Sequence, residues 1–158
     1  MSAKKKLSVG AWITCCAAVL AVVSAIVYAV NIGAEGYFQK ATVNNLMLWV
    51  LGAAAMLVCA IIIKLPGLKG IAGSLAELVS GALRIGAPVL LALGLINLIA
   101  GRAEGLGFIY FSNADVAKEV QTAANLSSAT GAIASMVLLG VAMLVAIVAA
   151  FFSIRKKA

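Results

Sequence analysis

Residues 9–30 read VGAWITCCAAVLAVVSAIVYAV and contain no charged side chain. An apolar helix needs about 20 residues to cross the hydrocarbon core of a bilayer. Lysines at positions 4–6 precede the stretch, as in a secretory signal, but the apolar part of a signal has only about 7–15 residues. We therefore expect a first membrane-spanning helix at about 9–30.

Three further apolar runs follow, at about 43–63, 78–100 and 132–152. Of the 158 residues, 65% are hydrophobic and 11% are charged, whereas a soluble domain has about 25% charged residues. A domain of this size in water leaves about a third of its chain surface exposed, so folding in water could not hide this much apolar surface. The sequence predicts an all-α integral membrane four-helix bundle, forming a single membrane domain over residues 1–158.

The third apolar run is longer than one span requires. It extends without a break from Ile71 to Ala100, apart from Pro88. We interpret residues 70–83 as a helix lying partly in the membrane interface and continuing into a span over about 85–100. One tilted helix is the alternative.

Lysine and arginine residues fall mostly on one side of the predicted spans. Nine of them flank the predicted inner ends, namely Lys4, Lys5, Lys6, Lys64, Lys69, Arg84, Arg155, Lys156 and Lys157, and three lie on the other side, namely Lys40, Arg102 and Lys118. Such an excess marks the cytoplasmic side. We expect both termini and the loop 64–77 in the cytoplasm, the loops 31–42 and 101–131 outside it, and the protein in the cell membrane.

Both predicted external loops contain aromatic residues after a glycine. We expect residues 108–111 to be β-prone, a helix to open at Ser112 and run to about Thr122, and Ser127, Ser128 or Thr130 to begin the fourth span. The two loops would then form a small external cap over the bundle. The aromatic residues are either a belt at the membrane interface or a partner-binding surface, and the candidates for that surface are Tyr37, Phe38, Phe108, Tyr110 and Phe111.

Small residues recur at helical spacing in three of the runs: Ala17, Ala21, Ala25 and Ala29; Ala142, Ala146 and Ala150; Ala82, Gly86 and Gly94. Small side chains let helices approach closely in lipid. They indicate packing within the bundle, or an interface for another protein.

Three polar residues in the third run are candidates for a transport path: Glu77, Arg84 and Asn97. Glu77 and Arg84 are two helical turns apart and are expected to share a face. The simpler interpretation is that this pair extends toward the lipid head groups and that Asn97 forms a hydrogen bond between helices.

Several function classes find no support in the sequence. Histidine is absent, the three cysteines lie inside apolar runs without a C-x-x-C pair, and no acidic pair has catalytic spacing. The net charge of +7 comes from chain ends and one short loop rather than a basic face, so we do not expect nucleic-acid binding. We expect no enzymatic activity, no metal and no cofactor.

The segment 104–115, EGLGFIYFSNAD, with NLSS at 125–128 after it, resembles small uncharacterised four-span membrane proteins of Gram-positive bacteria. The four-span layout extends this likeness to most of the chain. The resemblance implies the same fold and carries over no activity, partner or functional residue.

Two functional hypotheses remain. The first is a non-catalytic accessory, scaffold or sensor subunit that binds a membrane or extracytoplasmic protein through its helix faces or its external aromatic loop. The second is a small membrane transporter or channel. Because four short helices cannot enclose a wide pore, the second hypothesis requires a homo-oligomer.

Overall fold

The computed structural model describes residues 8–66 and 68–154. They form five helices: α1 (Val9–Gly33), α2 (Leu46–Lys64), α3 (Gly70–Phe111), α4 (Ala114–Val120) and α5 (Ala123–Phe151). Within these ranges all regular secondary structure is helical, which confirms the predicted fold class. The basic clusters at 4–6 and 155–157, which determine the predicted topology, lie outside the described residues.

Four of the helices, α1, α2, α3 and α5, are long and apolar enough to cross a membrane. Helix α2 has 19 residues, which corresponds to about 28 Å at 1.5 Å per residue. This length matches the hydrocarbon thickness of about 30 Å. The extent of α2 therefore indicates which part of each longer neighbouring helix is embedded in the membrane.

The four long helices form a closed ring. Helix α1 packs against α2 and α5, and α3 packs against the same two helices from the other side. Small side chains fill most of the space between them, including Ala17, Ala21, Ala53, Ala142 and Ala146, each of which is fully buried. Of the predicted small residues, Ala17, Ala21, Ala25, Ala142 and Ala146 therefore serve packing inside the bundle, whereas Ala29 and Ala82 are exposed.

Large apolar side chains lie mainly on the outside of the bundle. Leu48, Ile62, Ile96, Val137 and Leu144 are all exposed, one or more from each of three helices. A protein dissolved in water rarely exposes apolar patches on this scale. In lipid the same surface meets acyl chains, so the distribution of large and small side chains agrees with four membrane-spanning helices.

Helix α3 has 42 residues and continues through Pro88. Residues 70–83 and 85–100 belong to this one helix, which fits both interpretations of the third run. The helix also continues through residues 101–111, where we predicted a loop with a β-prone segment, and that prediction is wrong. The physical reason is long-range packing, because Gly105 and Ile109 are buried against other parts of the chain.

The remainder of the predicted loop 101–131 is also largely helical. Helix α4 begins after Asn113, whose side chain accepts a hydrogen bond from the backbone N–H of Val116 at 3.0 Å. Helix α5 begins at Ala123 after Thr122, which accepts from the N–H of Asn125 at 3.2 Å. The start of the fourth long helix is thus earlier than the predicted Ser127, Ser128 or Thr130.

The two ends of the bundle differ. One end, which we call the aromatic end, is formed by residues 34–45 and 102–130. The other, which we call the terminal end, is formed by residues 8–10, 64–66, 68–70 and 152–154. At the terminal end the Ser8 hydroxyl donates to the carbonyl of Ser153 at 2.5 Å. This bond joins the start of α1 to the end of α5.

Candidate functional site

The aromatic end contains a buried arginine. Arg102 lies on α3, only 2% of its side chain is exposed, and its guanidinium donates a hydrogen bond to the carbonyl of Ala41 at 2.5 Å. Ala41 belongs to the connection between α1 and α2, so this bond joins that connection to α3.

Two aromatic rings surround the Arg102 guanidinium. Its central carbon lies 4.5 Å from the centroid of the Phe38 ring and 5.7 Å from that of Tyr28. Cations within about 6 Å of an aromatic face are attracted by the ring quadrupole. The Tyr28 hydroxyl in turn accepts a hydrogen bond from the Val43 N–H at 2.6 Å. This bond fixes the part of the α1–α2 connection that lies next to α2.

No carboxylate pairs with Arg102. Within residues 8–66 and 68–154 the one ion pair is Lys64–Glu77, at the terminal end, and the Nε of Arg102 has no hydrogen-bond partner there. Burying a charge is costly unless it is paired or otherwise stabilised. The two rings and the Ala41 carbonyl therefore provide the attraction that a carboxylate usually supplies.

Three of the five predicted aromatic residues form one cluster, and Phe38 connects it to Arg102. The Tyr37 ring meets the Phe38 ring edge-on with centroids 5.2 Å apart, and it lies 5.9 Å from the Phe108 ring. Phe38 is almost fully buried. Phe38 therefore lies on the buried side of the cluster and cannot itself contact a partner, whereas Tyr37 and Phe108 remain exposed.

Tyr110 and Phe111 lie apart from that cluster on the last turn of α3. Both side chains are exposed, and Phe111 is the more exposed of the two, at 88%. Along the helix axis Phe111 is about 20 Å beyond Asn97 at 1.5 Å per residue. Asn97 is close to the level of Leu46, the first residue of α2, because Gly94 packs against Leu46 and Val50. Phe111 thus lies well outside the thickness that α2 spans.

Two glycines permit the close contacts of the aromatic end. A Cβ on Gly105 would approach carbon atoms of Tyr37 and Phe38 to 2.6 Å. Gly36 has φ +137°, a conformation that favours glycine, and a Cβ there would lie 2.6 Å from the Ala124 carbonyl oxygen. Both glycines are therefore required for this packing.

The structure does not bring the predicted polar residues into one path. Glu77 is exposed and forms an ion pair with Lys64 at 3.1 Å. Arg84 is buried and donates to the carbonyls of Ala149 and Phe152 at the carboxyl end of α5. Asn97 is half-buried, and no hydrogen bond to it occurs in the described part of the chain.

Arg102 was not among the predicted site residues, although its position could have been read from the helical period. The buried residues of α3 include Leu91, Gly94, Leu98, Arg102, Gly105 and Ile109. Their spacing of three or four residues is that of one helix face. Extending the core face of the third run beyond residue 100 would have predicted a buried arginine and a continuing helix.

Metal-binding side chains do not cluster in the described ranges, where no group of three or more Cys, His, Asp or Glu residues could hold an ion. Cys15, Cys16 and Cys59 are free and lie on the exposed apolar surface. The aromatic end combines exposed rings, a buried cation and hydrogen bonds to the backbone.

Comparison of the chain with protein-family models, with curated proteins and with solved structures finds no match.

Proposed function

We propose that this chain is a non-catalytic subunit of the cell membrane, an accessory, scaffold or sensor protein that binds a protein partner outside the cytoplasm through the aromatic end. The proposal rests chiefly on the exposure of Phe111 about 20 Å beyond the membrane-embedded part of α3. An aromatic ring at that height is beyond the interfacial belt, and large exposed aromatic side chains in water are typical of protein interfaces.

The proposed orientation follows the distribution of basic residues. Lys64 and Lys69 lie at the terminal end, and the basic clusters at 4–6 and 155–157 are close to it in sequence. The aromatic end has four acidic residues, Glu35, Glu104, Asp115 and Glu119, besides its three basic ones. The positive-inside bias therefore favours a cytoplasmic terminal end.

The proposed contact surface consists of the four exposed aromatic residues Tyr37, Phe108, Tyr110 and Phe111. Its support is rigid, because α3 carries three of them and the Phe38–Arg102 contact fixes the segment that carries Tyr37. A surface that is ordered before binding loses less conformational entropy when a partner docks.

A photo-crosslinking amino acid at position 111 tests this proposal in intact cells. We expect one defined protein adduct from position 111 and none of that size from position 151. Phe151 is the matched control, because it is 85% exposed but lies at the terminal end.

The purified partner then allows a binding measurement. Phe111→Ala should weaken binding by about tenfold or more, as expected for an aromatic hot spot, whereas Phe151→Ala should leave the Kd unchanged. Equal adducts from both positions, or a Kd that Phe111→Ala does not alter, would contradict a docking role for the aromatic end.

A further inference from the structure

The terminal end brings the start of α1 and the end of α5 to one contact. The Ser8 hydroxyl donates to the Ser153 carbonyl at 2.5 Å, and a Cβ on Gly10 would collide with the same carbonyl oxygen. Three basic residues stand just before this contact in the sequence, at 4–6, and three just after it, at 155–157. We call them the two basic triplets. None of the six is more than four positions from Ser8 or Ser153, so the α-carbon of each lies within about 14 Å of one of these two residues. Six positive charges therefore converge on one point of the molecule.

This contact lies at the border between hydrocarbon and head groups. Ile154 is almost fully buried and packs with Ala11 of α1 and Ala60 of α2. Ala60 is four residues before Lys64, the last residue of α2, which corresponds to about 6 Å along the helix axis. Because α2 matches the hydrocarbon thickness, the chain passes Ile154 at the membrane border. Basic residues that follow or precede the contact by so few positions can reach the phosphate layer.

The acidic side chains of the protein do not supply the counter-charge for the two basic triplets. The sequence has five acidic residues. Four of them belong to the opposite, aromatic end, namely Glu35, Glu104, Asp115 and Glu119. The fifth, Glu77, forms an ion pair with Lys64 at 3.1 Å. Capping of α5 does not account for the cations either, because Arg84 donates to the Ala149 and Phe152 carbonyls at its carboxyl end. The counter-charge therefore comes from another molecule.

We propose that the two basic triplets form one site for the phosphate groups of anionic phospholipids, such as phosphatidylglycerol, in the leaflet that the terminal end contacts. The sign of the charge requires an anion, and the height of the Ser8–Ser153 contact favours a lipid over a soluble anion, because lipid phosphates are concentrated at that height. Each lysine or arginine close to an anionic membrane surface strengthens binding by about fivefold. This lipid binding is independent of the proposed partner at the aromatic end and of the orientation of the chain.

Lipid competition tests the preference for phosphate. The full-length chain is purified in a non-ionic detergent and titrated in native mass spectrometry with phosphatidylglycerol and phosphatidylcholine of identical tails. At about 0.05 M ammonium acetate the first phosphatidylglycerol should bind about tenfold more tightly than phosphatidylcholine. Screening should reduce this preference to about twofold at about 0.5 M. Inorganic phosphate at the lipid concentration should not displace the lipid. A preference that is absent or independent of salt, or displacement by inorganic phosphate, would overturn the proposal.

Protein variants test whether the two basic triplets act as one site. Residues 4–6 are replaced together by glutamine in one variant, and residues 155–157 in a second. Either replacement should weaken binding of the first phosphatidylglycerol by about fivefold or more. Lys40→Gln combined with Lys118→Gln is the control, since both are exposed cations at the aromatic end, and it should bind as the wild type does. Wild-type affinity for the first lipid in both triplet variants would show that the triplets are not one site. If a triplet variant is not recovered from membranes, the other variant and the salt dependence of the wild type decide.

Discussion

The guanidinium carbon of Arg102 lies over the ring of Phe38, 4.5 Å from its centroid, although 64 positions separate the two residues along the chain. This contact joins α3 to the connection between α1 and α2, and the Arg102–Ala41 hydrogen bond reinforces it. The buried cation is therefore the centre of the aromatic end. Its loss should loosen the connection before it affects the bundle.

Arg102→Met should make the Lys40–Ala41 peptide bond more sensitive to trypsin. The variant loses the hydrogen bond to Ala41 and the attraction to Phe38, so the segment opens locally more often. A charged hydrogen bond contributes about 1.5–3 kcal/mol, which corresponds to cleavage at least about tenfold faster. The measurement is the rate of cleavage after Lys40 in detergent. Lys118→Met removes an exposed cation from the same end and should not change that rate; a matching increase in both variants would argue against the contact.

Gly105→Ala should destabilise the protein, whereas Gly107→Ala should not. A Cβ at Gly105 meets Tyr37 and Phe38 at 2.6 Å, but a Cβ at Gly107 meets nothing within 4 Å. Overpacking costs about 1–3 kcal/mol, and replacing an unhindered helical glycine gains up to about 1 kcal/mol. Thermal unfolding midpoints in one detergent should therefore move in opposite directions. Equal midpoints for the two variants would show that the close approach at Gly105 is not tight.

Arg84→Met should lower the free energy of unfolding by about 2–4 kcal/mol. The substitution leaves the Ala149 and Phe152 carbonyls without their charged donor at the carboxyl end of α5. Glu77→Gln is the comparison, because its ion pair with Lys64 is exposed and contributes at most about 1 kcal/mol. Chemical denaturation in mixed micelles measures both. An Arg84→Met variant as stable as the wild type would show that Arg84 does not stabilise the carboxyl end of α5.

Cysteine labelling in intact cells tests the orientation. Cys15, Cys16 and Cys59 are first replaced by alanine, and one cysteine is introduced at Phe111 or at Leu68, both of which are exposed. A membrane-impermeant maleimide should label Phe111→Cys in intact cells and Leu68→Cys only after permeabilisation. The reverse pattern would place the aromatic end in the cytoplasm and remove the extracytoplasmic partner from consideration.

The membrane character of the fold could be predicted because it depends on composition alone. Apolar runs of about 20 residues identify spanning helices without any knowledge of tertiary contacts, and the four long helices confirm them. The continuation of α3 to Phe111 depends on contacts between distant segments. Gly101, Gly105 and Gly107 lower helix propensity locally, and only the packing of Gly105 against Tyr37 and Phe38 shows why the helix persists.

The candidate site was predictable in part. Aromatic residues after glycines indicated the end of the molecule where Tyr37, Phe38 and Phe108 lie together. The sequence could not distinguish buried Phe38 from exposed Phe111, because Phe38 is buried against Arg102 of α3, which is 64 positions away along the chain. The same limit applies to Glu77 and Arg84. Their spacing suggested one shared face, but their partners, Lys64 on α2 and the end of α5, hold them in different environments.

The alanine-rich space between the helices has a consequence for the entropy of folding. Alanine has no side-chain rotamers to lose, so burying Ala17, Ala53 or Ala142 restricts only the backbone. Many leucine, isoleucine and valine side chains, such as Leu48, Ile62 and Val137, are instead exposed to fluid acyl chains, where several rotamers stay accessible. Assembly of these helices therefore proceeds with little loss of side-chain freedom, so modest dispersion forces between close backbones suffice to hold the bundle together.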